Sequence, residues 1–408
     1  MANIQPYQIA IPQSEVDRLS RKLADARLPR EDGEDGDDWE RGAPVAPVRR
    51  IATYWCESFN WRAFEQELNE LPHFEATISV EGFNPFQLHF IHQRSTASDA
   101  IPLLFVHGWP GSFLEATKIL PALAKSDKDD GPSFHVIVPS LPNFGFSGRI
   151  DRSGFGLKQY AEALHQLMQG LGYEQYVSQG GDWGYFITRV ISAMYPESLV
   201  ATHLNIQAAM PPTSTSPLAY ARFLLAHLLG LYGAEDKALL RRSEAFWRTG
   251  SAYSTVHRQR PSTIGIALDD SPVGLLAWIY EKLVAWTDDY PWTDEEVCRW
   301  VSIYWFSRAG PGASVVIYHE ADKGEYVTRE SPLTPGVKIG YSYFPKEIFG
   351  SPRFWNHRLG DVVFEGRHER GGHFAAWERP EDLVADLRAM FGKGGGAYGV
   401  VKQPTAEN

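Results

Sequence analysis

The sequence predicts an α/β fold: a mostly parallel sheet, a helical insert laid over it as a lid, and a helical extension at the N-terminus. Three observations carry this. Ile101-Pro102-Leu103-Leu104-Phe105-Val106 is a short apolar run, the pattern of a strand buried on both faces of a parallel sheet, and it enters His107-Gly108-Trp109-Pro110-Gly111-Ser112 directly. Further along, Gln179-Gly180-Gly181-Asp182-Trp183-Gly184 has small residues two before and two after its centre. That is the spacing of a tight turn from a strand into a helix, where the backbone is strained and crowded. Finally, the stretches Tyr220 to Leu231 and Leu275 to Trp286 carry leucines and aromatics at helical spacing, so the insert from about Pro211 to Gly312 is expected to be a mostly helical lid whose stripes are mostly core.

The chemistry follows from what stands at the turn. An elbow of this kind holds a nucleophile, and here the residue is Asp182 rather than a serine. A hydroxyl would imply acyl transfer, whereas a carboxylate implies displacement at a saturated carbon and an alkyl ester of the enzyme itself. In an α/β-hydrolase layout the loop after the earlier strand supplies one oxyanion amide and the residue after the nucleophile the other, which are Trp109 and Trp183. Taken alone, GGDWG also reads as a glycine-rich turn with an N-capping Asp, and HGWPGS as a loop in which Ser112 starts a helix from Leu114 to Leu123. Downstream, His373 follows two glycines just before a helix expected from Pro380 to Phe391. The chain has 13 histidines, and His373 is singled out only by the order nucleophile, acid, histidine. The acid belongs after the strand Val337 to Tyr341, where Glu347 is chosen over Asp361 and Asp322.

Taken together, HGWPGS from His107, LPNFGFS from Leu141, GGDWG from Gly180, RPSTIGIALDDSPVGLLAWIYEK from Arg260, GYSYFPKE from Gly340 and GGHFAAWERP from Gly371 resemble the epoxide hydrolases of the microsomal and juvenile-hormone type, soluble fungal members included. The resemblance covers nearly the whole chain. It implies an α/β-hydrolase fold and hydrolysis of an epoxide through an ester on Asp182, with His373 as general base and Glu347 as its acidic partner. It also implies two tyrosines that protonate the epoxide oxygen, matched by Tyr253 and Tyr318, with Tyr304 as the fallback for the second. The chemistry asks for such donors independently. An alkoxide is a poor leaving group in an apolar pocket, and a phenol stays protonated at neutral pH yet can hand over its proton. The competing readings are a haloalkane dehalogenase, for which Trp183 would suit the halide, and a non-catalytic carrier of apolar ligands. A halide leaves without a proton and gives the tyrosines no task, and a carrier would be expected to have lost a catalytic position.

The expected organisation is an N-terminal region over residues 1–98, a first core segment 99–210, the lid 211–312, a second core segment 313–392 and a flexible tail 393–408. In the N-terminal region Ser14 with Asp17 resembles a capping signal before Val16, Leu19 and Leu23, and a second helix is expected from Val48 to Leu71. Between them, Arg30 to Asp38 is acidic, broken by glycines and expected to be an exposed loop. Strands are expected at Phe74 to Val80 and Phe86 to His92. At 408 residues and 43% hydrophobic, the chain can hold one catalytic domain with appendages. A net charge of −11 without a basic block argues against nucleic acid, and Cys56 with Cys298 suggests neither a disulfide framework nor a zinc site. No cofactor or metal is expected. The expected partners are a small apolar or aromatic epoxide and water, with a homodimer left open. No run approaches the ~20 apolar residues that cross a bilayer, and the N-terminus lacks a charged start and an apolar core, so a cytoplasmic location without a membrane anchor is expected.

Overall fold

The computed structural model describes residues 3–30, 39–125, 131–214, 216–327 and 334–402. After β1 (Ile4–Pro6), three helices follow: α1 (Gln13–Ala24), α2 (Val45–Glu57) and α3 (Trp61–Leu68). The antiparallel strands β2 (His73–Ile78) and β3 (Phe86–Gln93) come next, with β1 added to β2. From there strands and helices alternate: β4 (Ile101–Val106), α4 (Leu120–Ala124), β5 (Phe134–Pro139), α5 (Leu157–Gly170), β6 (Tyr176–Gly180), α6 (Trp183–Met194) and β7 (Leu199–Leu204). The lid helices are α7 (Pro217–Leu228), α8 (Ala234–Ala245), α9 (Ala252–Gln259), α10 (Pro261–Asp270), α11 (Pro272–Ala285), α12 (Asp294–Trp305) and α13 (Val316–Ala321). The chain then returns through β8 (Lys338–Tyr343), α14 (Arg353–Asn356), β9 (Asp361–Arg367), α15 (Ala375–Glu378) and α16 (Pro380–Phe391). Among the described residues the sheet order is β1-β2-β3-β5-β4-β6-β7-β8-β9, parallel from β5 to β9 and antiparallel from β1 to β5. The fold is therefore the α/β-hydrolase fold. No described helix is long and apolar enough to cross a membrane.

Several local expectations are corrected. The helix expected from Val48 to Leu71 is two helices, because Asn60 turns its side chain onto the Ala63 amide (3.1 Å) and caps α3 instead of continuing α2. Ser14 is not the cap of α1. The helix starts at Gln13 after Pro12, with Gln13 Nε2 donating to Asp17 Oδ1 at 2.8 Å. The helix expected over Leu114 to Leu123 is a short 3₁₀ turn at Phe113–Ala116 followed by α4, since Pro121 fits only a first helical turn and cannot extend one. Ser112 does cap that turn, accepting from the Leu114 amide at 3.2 Å.

The lid differs from expectation at both ends. The leucine stripe of Tyr220 to Leu231 is not core: no residue of α7 is buried, and Leu218 is 89% exposed. By contrast, α11 is buried along Val273, Leu275, Leu276, Ile279 and Leu283. The helical layer also continues past Gly312, for α13 packs on α9. Beyond Gly392 the chain is anchored where freedom was expected, with Ala397 buried and bonded to the Met390 carbonyl and the Lys402 amide donating to Gln175 Oε1 at 3.0 Å. The acidic residues 31–38 and the end of the tail, 403–408, lie outside the described residues. The N-terminal helices brace the lid. Helix α2 packs on α11 and α12, and Trp55 Nε1 donates to Ser302 Oγ at 3.0 Å.

Candidate active site

Strands β4 and β6 are neighbours with Val106 opposite Gly180, so the loop from His107 and the elbow at Asp182 leave the sheet side by side at its C-terminal edge. Open α/β sheets place ligands at this edge. Asp182 adopts φ 47°, ψ −124°, a conformation that costs a non-glycine residue on the order of 1–3 kcal/mol. Its neighbours must be small. A Cβ on Gly184 would lie 1.9 Å from the Val106 carbonyl oxygen, and one on Gly108 would lie 2.0 Å from Asp182 Oδ1. The Trp109 amide donates to Asp182 Oδ1 at 2.8 Å. Trp183 is the first residue of α6, so its N–H is one of the first-turn donors that a helix leaves free.

The histidine and the acid reach the site from β9 and β8, the last two strands on the parallel side of the sheet. Lys346 and Gly372 form a parallel bridge that joins the turn after β8 to the loop after β9. The consequence is contact: His373 Nδ1 lies 2.6 Å from Glu347 Oε1, and His373 Nε2 lies 3.4 Å from Asp182 Oδ2. Both are enclosed, with Glu347 1% and His373 4% exposed. Burial alone disfavours the imidazolium, but Glu347 and Asp182 outweigh it and hold the His373 pKa well above the usual histidine value. The rival acids are paired with other cations, although Asp322 lines the same cavity as Asp182. Asp361 begins β9 and pairs with Lys338 at 2.5 Å, while Asp322 pairs with Arg258 in the lid.

Asp182, Trp183, Tyr253 and Tyr318 line one cavity of about 450 Å³, whose wall is otherwise largely apolar, with Phe186, Phe246 and Phe349 among its rings. A larger cleft of about 760 Å³, between α1, α2 and the start of α11, contains none of these residues, so the chemistry and not the volume selects the smaller one. Both tyrosines are buried. Burial first, and then the negative charge of Asp182 among other neighbours, pushes their phenol pKa values up, so both hydroxyls carry protons. Tyr304 is committed elsewhere: its hydroxyl donates to the Gly111 carbonyl at 2.5 Å.

Comparison with known proteins gives the family. Residues 4–116 match the family described as epoxide hydrolase N terminus, and residues 101–233 match the alpha/beta hydrolase fold. The chain is 31% identical to epoxide hydrolase 1 of Sus scrofa over 96% of this chain and 89% of that protein. The chain belongs to the epoxide hydrolases. The solved structure of Aspergillus niger epoxide hydrolase superposes with a TM-score of 0.80 at 33% identity, covering 95% of each chain. Juvenile hormone epoxide hydrolase from Bombyx mori superposes with a TM-score of 0.84 at 27% identity, covering 95% of this chain and 93% of that one. As an enzyme of this family, the protein hydrolyses epoxides to vicinal diols.

In this epoxide hydrolase further contacts hold the loops of the site, through residues to which the sequence analysis gave no such part. His107 Nε2 accepts from the Leu141 amide at 3.2 Å, which puts its proton on Nδ1, facing the Gly108 carbonyl at 3.0 Å. The loop that presents the Trp109 amide is thus pinned from inside. From above, Trp300 Nε1 donates to the Pro110 carbonyl at 2.6 Å and Tyr304 to Gly111, so α12 of the lid holds the same loop. The His373 amide donates to the Trp286 carbonyl at 2.8 Å, tying the histidine loop to the end of α11. A histidine directly after a strand was the available signal for the first. Nothing in the periodicity of α12 tells which of its aromatics faces a backbone carbonyl.

Proposed function

We propose that this epoxide hydrolase opens small apolar or aromatic epoxides by a two-step route through a hydroxyalkyl ester on Asp182. The observation that carries the proposal is a carboxylate on the elbow, Asp182, sharing one largely apolar cavity with two buried phenols and backed by the His373–Glu347 pair. Oδ1 is held by the Trp109 amide, which leaves Oδ2 to attack the ring carbon in line with the breaking C–O bond. Tyr253 and Tyr318 donate to the ring oxygen, and one passes over its proton as the alkoxide develops. Alkylation removes the charge of Asp182, and with it part of what stabilises the imidazolium. His373 then gives up a proton, balancing the one the phenol lost.

Neutral His373 is now a base. It takes a proton from a water that attacks the ester carbonyl, while the Trp109 and Trp183 amides hold the developing oxyanion and Glu347 orients and stabilises the imidazolium. The diol departs with Oδ2, protonated from His373, and the proton of the restored carboxyl returns to the histidine. Water therefore supplies one oxygen to Asp182, and two protons overall to the diol. The cavity wall selects for apolar substituents. With purified protein, styrene oxide should give diol at a kcat/KM at least about tenfold above that for glycidol, on the transfer energy of the phenyl group, and 1-bromobutane should release no bromide. Equal rates for styrene oxide and glycidol would contradict the apolar substrate class, and bromide release would contradict the role given to the phenols.

A further inference from the structure

Over the ring of Tyr253 stands a buried cation that the mechanism has not used. Lys282 of α11 is 4% exposed, and its Nζ lies 4.7 Å from the centroid of the Tyr253 ring and 6.0 Å from that of Trp278. Burying an ammonium is costly without a partner. Its partner is Glu281, whose Oε1 lies 2.7 Å away and whose side chain is 32% exposed. Burial draws the Lys282 pKa down, and the Glu281 carboxylate at hydrogen-bond distance works against that. An apolar side chain would fill this place on α11 at less cost, as Leu283 and Ile279 do on the same helix.

The other groups facing the ring do not duplicate this charge. His257, on α9 one turn from Tyr253, is 0% exposed and accepts from Trp278 Nε1 at 3.0 Å, which places its own proton on Nδ1. Burial, helped by the charge of Lys282, lowers its pKa to about 3, so it is neutral. Arg258 favours the Tyr253 phenolate too, but its guanidinium, paired with Asp322, lies over the Tyr318 ring at 5.9 Å and not over that of Tyr253. The anions acting on the same phenol are Asp182 and Glu281.

We propose that Lys282 is a positioning residue for ring opening: its ammonium over the Tyr253 ring face stabilises the phenolate that forms as Tyr253 passes its proton to the epoxide oxygen. The proposal rests on the reading of Tyr253 as a proton donor. In that step the phenol O–H and the epoxide C–O bond break, while the bond from Asp182 Oδ2 to carbon and the new O–H form. The electron pair of the phenol O–H stays on the oxygen and spreads into the ring beneath the ammonium.

Single-turnover ester formation with styrene oxide, read by rapid quench and peptide mass, tests this on the full chain. Lys282→Met should slow ester formation by about tenfold, the size of a desolvated cation–π contact, with ester hydrolysis changed by less than about twofold. Lys282→Arg keeps a charge over the ring and should stay within about threefold of the native rate. In a Tyr253→Phe background, where ring and packing remain but no proton is passed, Lys282→Met should cause no further slowing. Lys282→Gln replaces the Met variant if that one fails to fold. The proposal is overturned if the uncharged variant alkylates at the native rate, if Lys282→Arg is as slow as Lys282→Met, or if the same slowing persists in the Tyr253→Phe background. A slow Tyr253→Phe with an unaffected Lys282→Met removes the lysine's role only. A Tyr253→Phe enzyme that alkylates at the native rate removes both readings.

Discussion

His373→Gln consumes one equivalent of styrene oxide and then stops, leaving a stable adduct on Asp182 and steady diol formation reduced on the order of 10⁴-fold, the scale on which other hydrolases lose activity when a triad member is removed. The reason is the division of labour at the elbow. A carboxylate attacks without help from a base, so ester formation survives, whereas water at the ester carbonyl does not react without one. The same logic fixes the pH dependence of the second step. Only neutral imidazole can take the proton from water. Glu347, 2.6 Å from Nδ1, favours the charged form, so hydrolysis of the ester in the native enzyme should rise with pH through the His373 pKa and level off above it. Glu347→Gln removes that stabilisation, shifts the rise to lower pH and lowers the plateau, with ester formation retained. If His373→Gln accumulates no adduct, the two-step route fails. If Glu347→Gln turns over normally while Asp322→Asn or Asp361→Asn does not, the acid is reassigned.

Tyr253→Phe and Tyr318→Phe each slow ester formation by about 10²-fold, and the double change brings it close to the uncatalysed level, consistent with general-acid contributions of roughly 10²–10⁴. Both tyrosines line the cavity that holds Asp182, and burial together with the Asp182 charge keeps their hydroxyls protonated across the neutral range. Breakdown of ester already formed is unaffected in these variants. Tyr304→Phe supplies the contrast. Losing its bond to the Gly111 carbonyl costs about 1 kcal/mol of stability, as a net hydrogen bond does, and leaves ester formation within about tenfold of native. Rapid-quench rates for the four proteins decide the matter. A native rate for Tyr318→Phe beside an inactive Tyr304→Phe would exchange their roles.

What the chain displays and what it hides follow from the range of the interactions. The strand into HGWPGS and the GGDWG elbow are written in short motifs: Gly184 must be glycine because Val106 O, on the neighbouring strand, sits where a Cβ would be, and the glycine records that demand in the sequence. The choice among Glu347, Asp361 and Asp322 is not local, because it turns on the bridge between Lys346 and Gly372, which joins loops of two different strands. The breaks at Asn60 and Pro121 were written in residues that cap or end helices, and periodicity smoothed over both. Hydrophobic spacing tells that α7 and α11 are helices but not which of them is covered, so the exposed leucines of α7 and the buried Leu275 to Leu283 looked alike. Lys282 and His257 were invisible for the opposite reason. Each is a single polar residue among apolar ones, and its meaning lies in the ring it faces across the lid.

The covalent route through Asp182 is tested most directly by a single turnover in H₂¹⁸O with enzyme in excess over styrene oxide, followed by digestion and mass analysis of the peptide holding residue 182. Water attacks the ester carbonyl carbon, so one labelled oxygen should remain in Asp182, and the diol should leave with the unlabelled oxygen of the carboxylate. A labelled diol together with an unlabelled Asp182 peptide would mean that water attacks the epoxide directly, and would contradict the account.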